Sequence, residues 1–205
     1  MIIEFCAESY EYAMKAEKAG ADRIELCKDL HLEGLTPDYK SAKRTIDTLN
    51  IPVFVLIRPR KGDFMYSDEE FELMKQDILK FKEMGCKGIV SGVLNDDNSI
   101  DIKRTKKLVE LSRPLEFTFH RAFDMVSKPL KEIENLVRLG VDRILTSGQK
   151  EKAVDGLALI ERLNKISNNR LIIMPGSGIS NTNFKKFKLF NEIHGSFIDG
   201  MPIIN

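Results

Sequence analysis

Glu116-Phe117-Thr118-Phe119-His120-Arg121-Ala122-Phe123-Asp124 alternates polar and apolar residues and then ends in an imidazole, a guanidinium and a carboxylate. A period of two puts Glu116, Thr118 and His120 on one face of a strand and Phe117 and Phe119 on the other, so one face is apolar and the other carries chemistry. If the strand belongs to a parallel barrel, its C-terminal end opens at the rim where such folds build their sites. This predicts His120, Arg121 and Asp124 at the mouth of a pocket. Taken alone, the triplet reads equally well as a structural ion pair beside a satisfied core histidine, and the rest of the chain has to decide.

Working outward, the same strand-then-helix rhythm recurs. Ile2 to Cys6 reads as a buried strand, followed by a helix capped by Ser9, running to Lys18 and stopped by Gly20. Asp22 to Cys27 is a second strand, and Thr36 and Pro37 are predicted as the cap and first position of the next helix. Ile51 to Ile57 is a continuous β-branched run of the kind buried on both faces. Ser67 with Glu70 forms a capping box for a helix whose Phe71, Met74, Ile78 and Phe81 share one face. Gly88 to Val93 is strand four, and Asp101 starts a helix through Leu111. Beyond the quoted strand, a helix runs from near Ser127, with Pro129 in its first turn, to Gly140. Arg143 to Ser147 is strand six, Leu157 to Ile166 marks helix six, and Arg170 to Met174 is strand seven. Pro175 to Ser180 then leads to a short helix carrying Phe184, Phe187 and Phe190, and Glu192 to Ser196 is the last strand.

A weak internal repeat supports the count. Ala19-Gly20-Ala21-Asp22-Arg23-Ile24, Met84-Gly85-Cys86-Lys87-Gly88-Ile89 and Leu139-Gly140-Val141-Asp142-Arg143-Ile144 each lead from a helix-ending glycine into a strand. Eight alternations without a strand cluster or long crossover predict a single-domain α/β fold over residues 1–205, a (β/α)8 TIM barrel rather than an open doubly wound sheet. The sequence ends nine residues after Ser196, so the eighth helix is expected to be missing or truncated. Self-association is expected to cover that flank, as a homodimer or higher homo-oligomer, with Phe197, Met201, Ile203 and Ile204 as apolar contacts.

Composition removes several classes of function. With 205 residues, 42% of them hydrophobic, the chain can bury an ordinary core. Its 32 basic and 31 acidic residues leave a net charge of +1, which argues for neither nucleic acid nor a membrane surface as partner. The start, Met1-Ile2-Ile3-Glu4, has neither the basic head nor the apolar run of a signal peptide, and no stretch reaches membrane-spanning length, so a cytoplasmic location is expected. Three cysteines, Cys6, Cys27 and Cys86, are then expected to be free thiols.

The predicted C-terminal strand ends collect polar residues at one rim: Glu4, Cys6, Glu25, Cys27, Arg58, Arg60, Ser91, Thr118, His120, Arg121, Asp124, Thr146, Ser147 and His194. Buried charges are costly unless paired or solvated, so this clustering favours a pocket. Gly176-Ser177-Gly178-Ile179-Ser180 follows strand seven, where barrels bind phosphate on backbone N–H groups and a helix N-terminus. The other reading of that loop is a tight turn before a helix capped by Ser180 or Asn181. Cys6 and Cys27 end neighbouring strands that lie about 4.8 Å apart, so their sulfurs could share one soft ion such as Cu(I). The alternative is that both are small buried fillers. No Cys-x-x-Cys or His-x-x-His cluster suggests zinc, and Cys86, at the opposite end of its strand, reads as structural.

Gly20-Ala-Asp-Arg-Ile-Glu-Leu-Cys27, Gly34-Leu-Thr-Pro37, Ile57-Arg-Pro-Arg60 with Gly62-Asp-Phe64, Thr118-Phe-His-Arg-Ala-Phe-Asp124 and Arg143-Ile-Leu-Thr-Ser-Gly148 together resemble the CutC family, named for copper homeostasis. The resemblance spans nearly the whole chain. It implies a TIM barrel, a cytoplasmic location and a role in copper handling with Cys6 and Cys27 as ligands. Glu33 and Lys61 stand where the family usually carries glycine, and longer members continue past the eighth strand. Two functions are therefore expected to compete. One is a Cu(I)-binding protein using Cys6 and Cys27. The other is an enzyme acting on a small anionic substrate, with Glu25, His120 and Asp124 as acid–base groups. In that reading Glu4, Arg58, Arg60, Arg121, Ser147, Gly176 and Gly178 bind the substrate.

Overall fold

A computed structural model of the protein describes residues 1–196. Strands and helices alternate in the order β1 (Ile2–Ala7), α1 (Tyr10–Lys18), β2 (Arg23–Leu26), α2 (Tyr39–Thr48), β3 (Val53–Leu56), α3 (Asp68–Met84), β4 (Gly88–Ser91) and α4 (Ile102–Ser112). They continue as β5 (Glu116–Phe119), α5 (Pro129–Leu139), β6 (Arg143–Thr146), α6 (Leu157–Ser167), β7 (Ile172–Pro175) and β8 (Glu192–Ser196). All eight strands are parallel, in the order β7-β6-β5-β4-β3-β2-β1-β8. The two ends of the sheet meet at a single bridge between Gly176 and His194, so the barrel is nearly closed. The expected barrel is therefore the fold. The expectations placed on the eighth helix and on Phe197, Met201, Ile203 and Ile204 lie outside the described residues.

Strand parity divides the core into two compartments. Phe5, Ile24, Leu26, Val55, Ile89, Phe117, Phe119, Ile144 and Ile173 point outward and are buried against the helices. Residues of the opposite parity fill the barrel, where Cys6, Cys27, Phe54, Leu56 and Val90 form a separate apolar cluster. The helices form where local chemistry supports them. The Ser9 hydroxyl accepts from the Tyr12 N–H, Ser67 and Glu70 make the reciprocal capping box, and Asp101 caps α4 through the Arg104 N–H. Phe71, Met74, Ile78 and Phe81 form the buried stripe of α3.

Three local expectations are corrected. Thr36 does not cap α2, which begins at Tyr39 after Asp38; instead the Thr36 hydroxyl accepts from the Arg58 N–H and ties the β2–α2 loop to the end of β3. Strand seven begins at Ile172 because Asn168 and Asn169 take left-handed backbone conformations that end α6, and the Arg170 N–H turns back to the Ser167 carbonyl. After the Gly176–Ser180 loop there is only a four-residue 3-10 turn, Phe184–Phe187, so no α-helix N-terminus points at that loop.

Candidate functional site

The barrel interior is built in two levels. At the lower level, inward-facing charges from five strands form one network, buried except at Glu116. Arg23 Nε donates to Glu4 at 2.5 Å, and its Nη2 donates to Glu192. Arg143 Nε donates to the other side of this network, to Glu192 at 3.0 Å, and its Nη2 reaches Glu116 at 2.6 Å. Both guanidiniums lie over the Phe54 ring, at 4.6 and 5.1 Å. Burial alone would push the Glu4 carboxyl up, but the charge of Arg23 and the hydrogen bonds from His194 and Arg23 hold it down at about 2.

Above this level a cavity of about 300 Å3 opens at the C-terminal rim. Glu25 and Cys6 reach it from β2 and β1, Arg58 from the end of β3, His120 from the end of β5, and His194 from β8. Arg121, Asp124, Ser177 and Gly178 also line it, with Leu30, Leu56, Phe64 and Leu145 as apolar walls. The His194 Nδ1 lies 2.8 Å from Glu4 and 3.6 Å from Glu25. Burial disfavours its charged form, yet the Glu4 hydrogen bond and the two carboxylate charges raise its pKa overall. Glu25 is pushed up to about 7, mainly by burial, with His194 opposing.

His120 is organised from three sides. Its Nδ1 accepts from the Ala122 N–H at 3.2 Å, which leaves the ring proton on Nε2. Phe64 packs against the ring with centroids 4.9 Å apart. Gly92 clears the third side, since a Cβ there would stand 2.8 Å from Nδ1. The Nε2 atom is buried and has no hydrogen-bond partner among the described residues. Burial and then the charge of Arg58 lower the His120 pKa to about 3, so the ring is neutral at ordinary pH.

That shift predicts an acid effect on stability. A histidine ordinarily at 6.5 and held near 3 in the fold must stay uncharged, so its contribution is present above about pH 6.5 and is lost as pH falls toward 3. His120→Gln is expected to flatten the decline of unfolding free energy over this range by about 1 kcal/mol per pH unit. Urea melts at pH 7, 6, 5 and 4 give the two slopes, and parallel slopes would remove histidine 120 as the cause.

The two thiols sit beside this cavity. Cys6 Sγ lies 3.4 Å from Cys27 Sγ, both are buried, and Cys6 lines the cavity. The hydrogen bond with Cys27, then burial, then the charges of Cys27, Glu25 and Glu4 push the Cys6 thiol well up. A soft monovalent cation suits this donor set, because it would take the place of thiol protons among carboxylates that favour positive charge. Sulfurs 3.4 Å apart are close enough that both could contact one such ion. Glu4, Glu25 and His194 place one further set of possible ligand atoms within 4.8 Å of one another.

The predicted site residues separate by place. Glu25, Arg58, His120, Arg121, Asp124, Gly178 and Cys6 line one cavity, with Cys27 against Cys6 and Ser147 bonded to Arg121 at 3.1 Å. Glu4 lies one level down, fully buried among Arg23 and His194, and cannot touch a molecule in the cavity. Arg60 is turned into its own loop, bonded to Glu70, Asp63 and the Met65 carbonyl, and does not line the cavity. Gly176 forms the barrel-closing bridge and also stays outside the lining. The Asp124 carboxylate accepts from Arg121, from Thr146 and Ser147 hydroxyls, and from the Ser147 and Gln149 N–H groups. So many donors make it a fastener between the β5 and β6 loops rather than a free base. Gly92, Phe64 and the Arg23–Glu192–Arg143 network were not foreseen, although parity with Glu25 already placed Arg23 inside.

Comparison with known proteins agrees with this architecture. Residues 1–199 match the model of the CutC family. The chain is 46% identical over 185 residues to the human copper homeostasis protein cutC homolog, covering 90% of this chain and 68% of that protein. It is 46% identical over 196 residues to the family protein CutC of Proteus mirabilis, covering 95% and 78%. The crystal structure of a copper homeostasis protein CutC from Streptococcus agalactiae superimposes with a TM-score of 0.89 at 35% identity, covering 95% of this chain and 98% of that one. An aldolase, QR15, gives a TM-score of 0.69 at 12% identity, covering 95% and 89%, a likeness of fold alone.

Proposed function

This chain belongs to the CutC family, and from that premise we propose that it handles copper in the cytoplasm by holding one Cu(I) ion between Cys6 and Cys27 at the barrel rim. The observation that carries this reading is the pair of buried sulfurs 3.4 Å apart, one of which opens on the cavity. Thiolates select soft Cu(I), and the nearby Glu4 and Glu25 favour a cation. The name borne by the relatives points the same way. No helix among the described residues is long and apolar enough to cross a membrane, which is compatible with this location.

Titration of the reduced protein with Cu(I) against a competing chromophoric chelator is expected to give about one ion per chain. Cys6→Ser and Cys27→Ser should each weaken binding at least a hundredfold, because one thiolate alone cannot form the two-coordinate site. Cys86→Ser should change nothing, since that thiol lies just before β4, at the other end of the barrel. Binding replaces at least one thiol proton, so affinity should rise up to about tenfold per pH unit per proton released. Undiminished binding by the Cys6→Ser/Cys27→Ser double variant would end the proposal.

A further inference from the structure

We propose that the rim cavity is also a binding site for a small hydroxy acid, its carboxylate held by Arg58 and the His120 Nε2–H and its hydroxyl held by the Glu25 Oε2. The argument starts from a missing counter-charge. Arg58 is 2% exposed, and its guanidinium donates to the carbonyls of Leu32, Gly34 and Gly62. The nearest carboxylate is that of Glu33, at 3.5 Å on a side chain that is 78% exposed. The other two buried guanidiniums of the interior, Arg23 and Arg143, each hold buried carboxylate partners. Arg58 is thus a cation in a cavity wall without a buried anion beside it, a costly arrangement that an anionic ligand would relieve.

Two further groups in the same wall await partners. The His120 Nε2 and the Glu25 Oε2 are buried and lack a hydrogen bond among the described residues, the Glu25 Oε2 standing 3.6 Å from the His194 Nδ1, and both residues line the cavity with Arg58. Unmet buried polar atoms are rare in folded proteins, and here a donor and an acceptor belong to residues that line one cavity. Phe64 packs against both Arg58, at 5.1 Å, and His120, at 4.9 Å, so the two groups that would meet the carboxylate are held by one ring. A cation and a neutral N–H call for a carboxylate, and the acceptor calls for a group that can donate. About 300 Å3 with apolar walls limits the ligand to a compact carbon skeleton. The assignment uses neither sulfur atom and therefore stands or falls apart from the copper reading.

Lactate, propionate and inorganic phosphate serve as probes, titrated into metal-free protein and followed by calorimetry or ligand-observed NMR. Lactate should bind one per chain, and propionate, which lacks only the hydroxyl, about tenfold or more weakly. Phosphate should bind more weakly than lactate. Arg58 secures three loop carbonyls, so its replacement risks the fold; His120→Phe and Glu25→Leu carry the test. His120→Phe should weaken lactate at least tenfold. Glu25→Leu should bring lactate and propionate to equal affinity. The proposal is overturned if lactate fails to bind at tens of millimolar, if propionate or phosphate binds as well as lactate, or if His120→Phe leaves lactate unaffected.

Discussion

Replacing Arg23 by methionine is expected to lower the free energy of unfolding by about 3–5 kcal/mol, the usual cost of removing one partner from a buried ion pair. Glu4 is fully buried and loses its guanidinium, keeping only the His194 ring. Glu192 loses one of two cations and remains bonded to Arg143. Methionine fills similar space against Met174 and Phe54, so the loss is electrostatic rather than a cavity. A second signature should accompany it. Because Glu4 is held at about 2 in the fold against an ordinary 4.5, its contribution is fully present above pH 4.5 and disappears as pH falls toward 2. That contribution amounts to roughly 3 kcal/mol, and most of it should vanish in Arg23→Met. Urea melts across pH 2.5–7 measure both effects. Adding Glu4→Gln to the variant should recover part of the loss, since the uncompensated charge is then gone. An Arg23→Met protein as stable as the parent would show that the network contributes nothing.

The second large effect is expected at Gly148, in the loop after β6. Its φ of +70° is left-handed, and an added Cβ would stand 2.3 Å from the Gly156 carbonyl oxygen, a backbone atom that cannot rotate aside. The left-handed conformation costs a non-glycine residue about 1–2 kcal/mol, and overpacking adds about 1–3 kcal/mol. Gly148→Ala should therefore destabilise by about 2–5 kcal/mol, a fall in Tm of roughly 10 °C for a chain of this size. The damage should also reach the cavity mouth. Ser147 joins Asp124 and Arg121, and the Gly148 N–H donates to the Thr146 hydroxyl. Calorimetry of the variant decides the matter: a Tm within about 2 °C of the parent would mean that the loops separate freely.

The barrel was legible because strands alternate with helices along the whole chain and three helix-ending glycines, Gly20, Gly85 and Gly140, lead into strands in the same way. Phe117 and Phe119 against Thr118 and His120 show the outward and inward sets in one short run, and the structure keeps that division. The same parity placed Glu25, Cys27 and His120 at a common rim. What could not be read was depth and partner choice. Glu4 and Cys6 share a face of β1, yet two residues separate a charge sealed by Arg23 from a thiol that lines the cavity. Arg58 and Arg60 look alike in sequence, but only the first lines the cavity, because the loop after β3 turns its carbonyls of Asp63 and Met65 onto the Arg60 guanidinium. Asp124 shows the third difficulty. Its residue type suits a base, but the β6 loop that supplies most of its donors comes 22 or more residues later.

The position of Glu192 along the chain has a consequence for biosynthesis. This one carboxylate is shared by Arg23 and Arg143, and the ribosome makes it after both. A nascent chain that carries both arginines but not yet Glu192 has Glu4 to pair with Arg23 and the half-exposed Glu116 to pair with Arg143, but it lacks the buried carboxylate that joins the two guanidiniums, so the interior charge is incompletely balanced. Incomplete barrels are thereby discouraged from settling into a near-native arrangement. The arrival of β8 supplies backbone pairing to β1 and the shared carboxylate in one step, so extending the sheet and balancing its interior charge depend on the same strand.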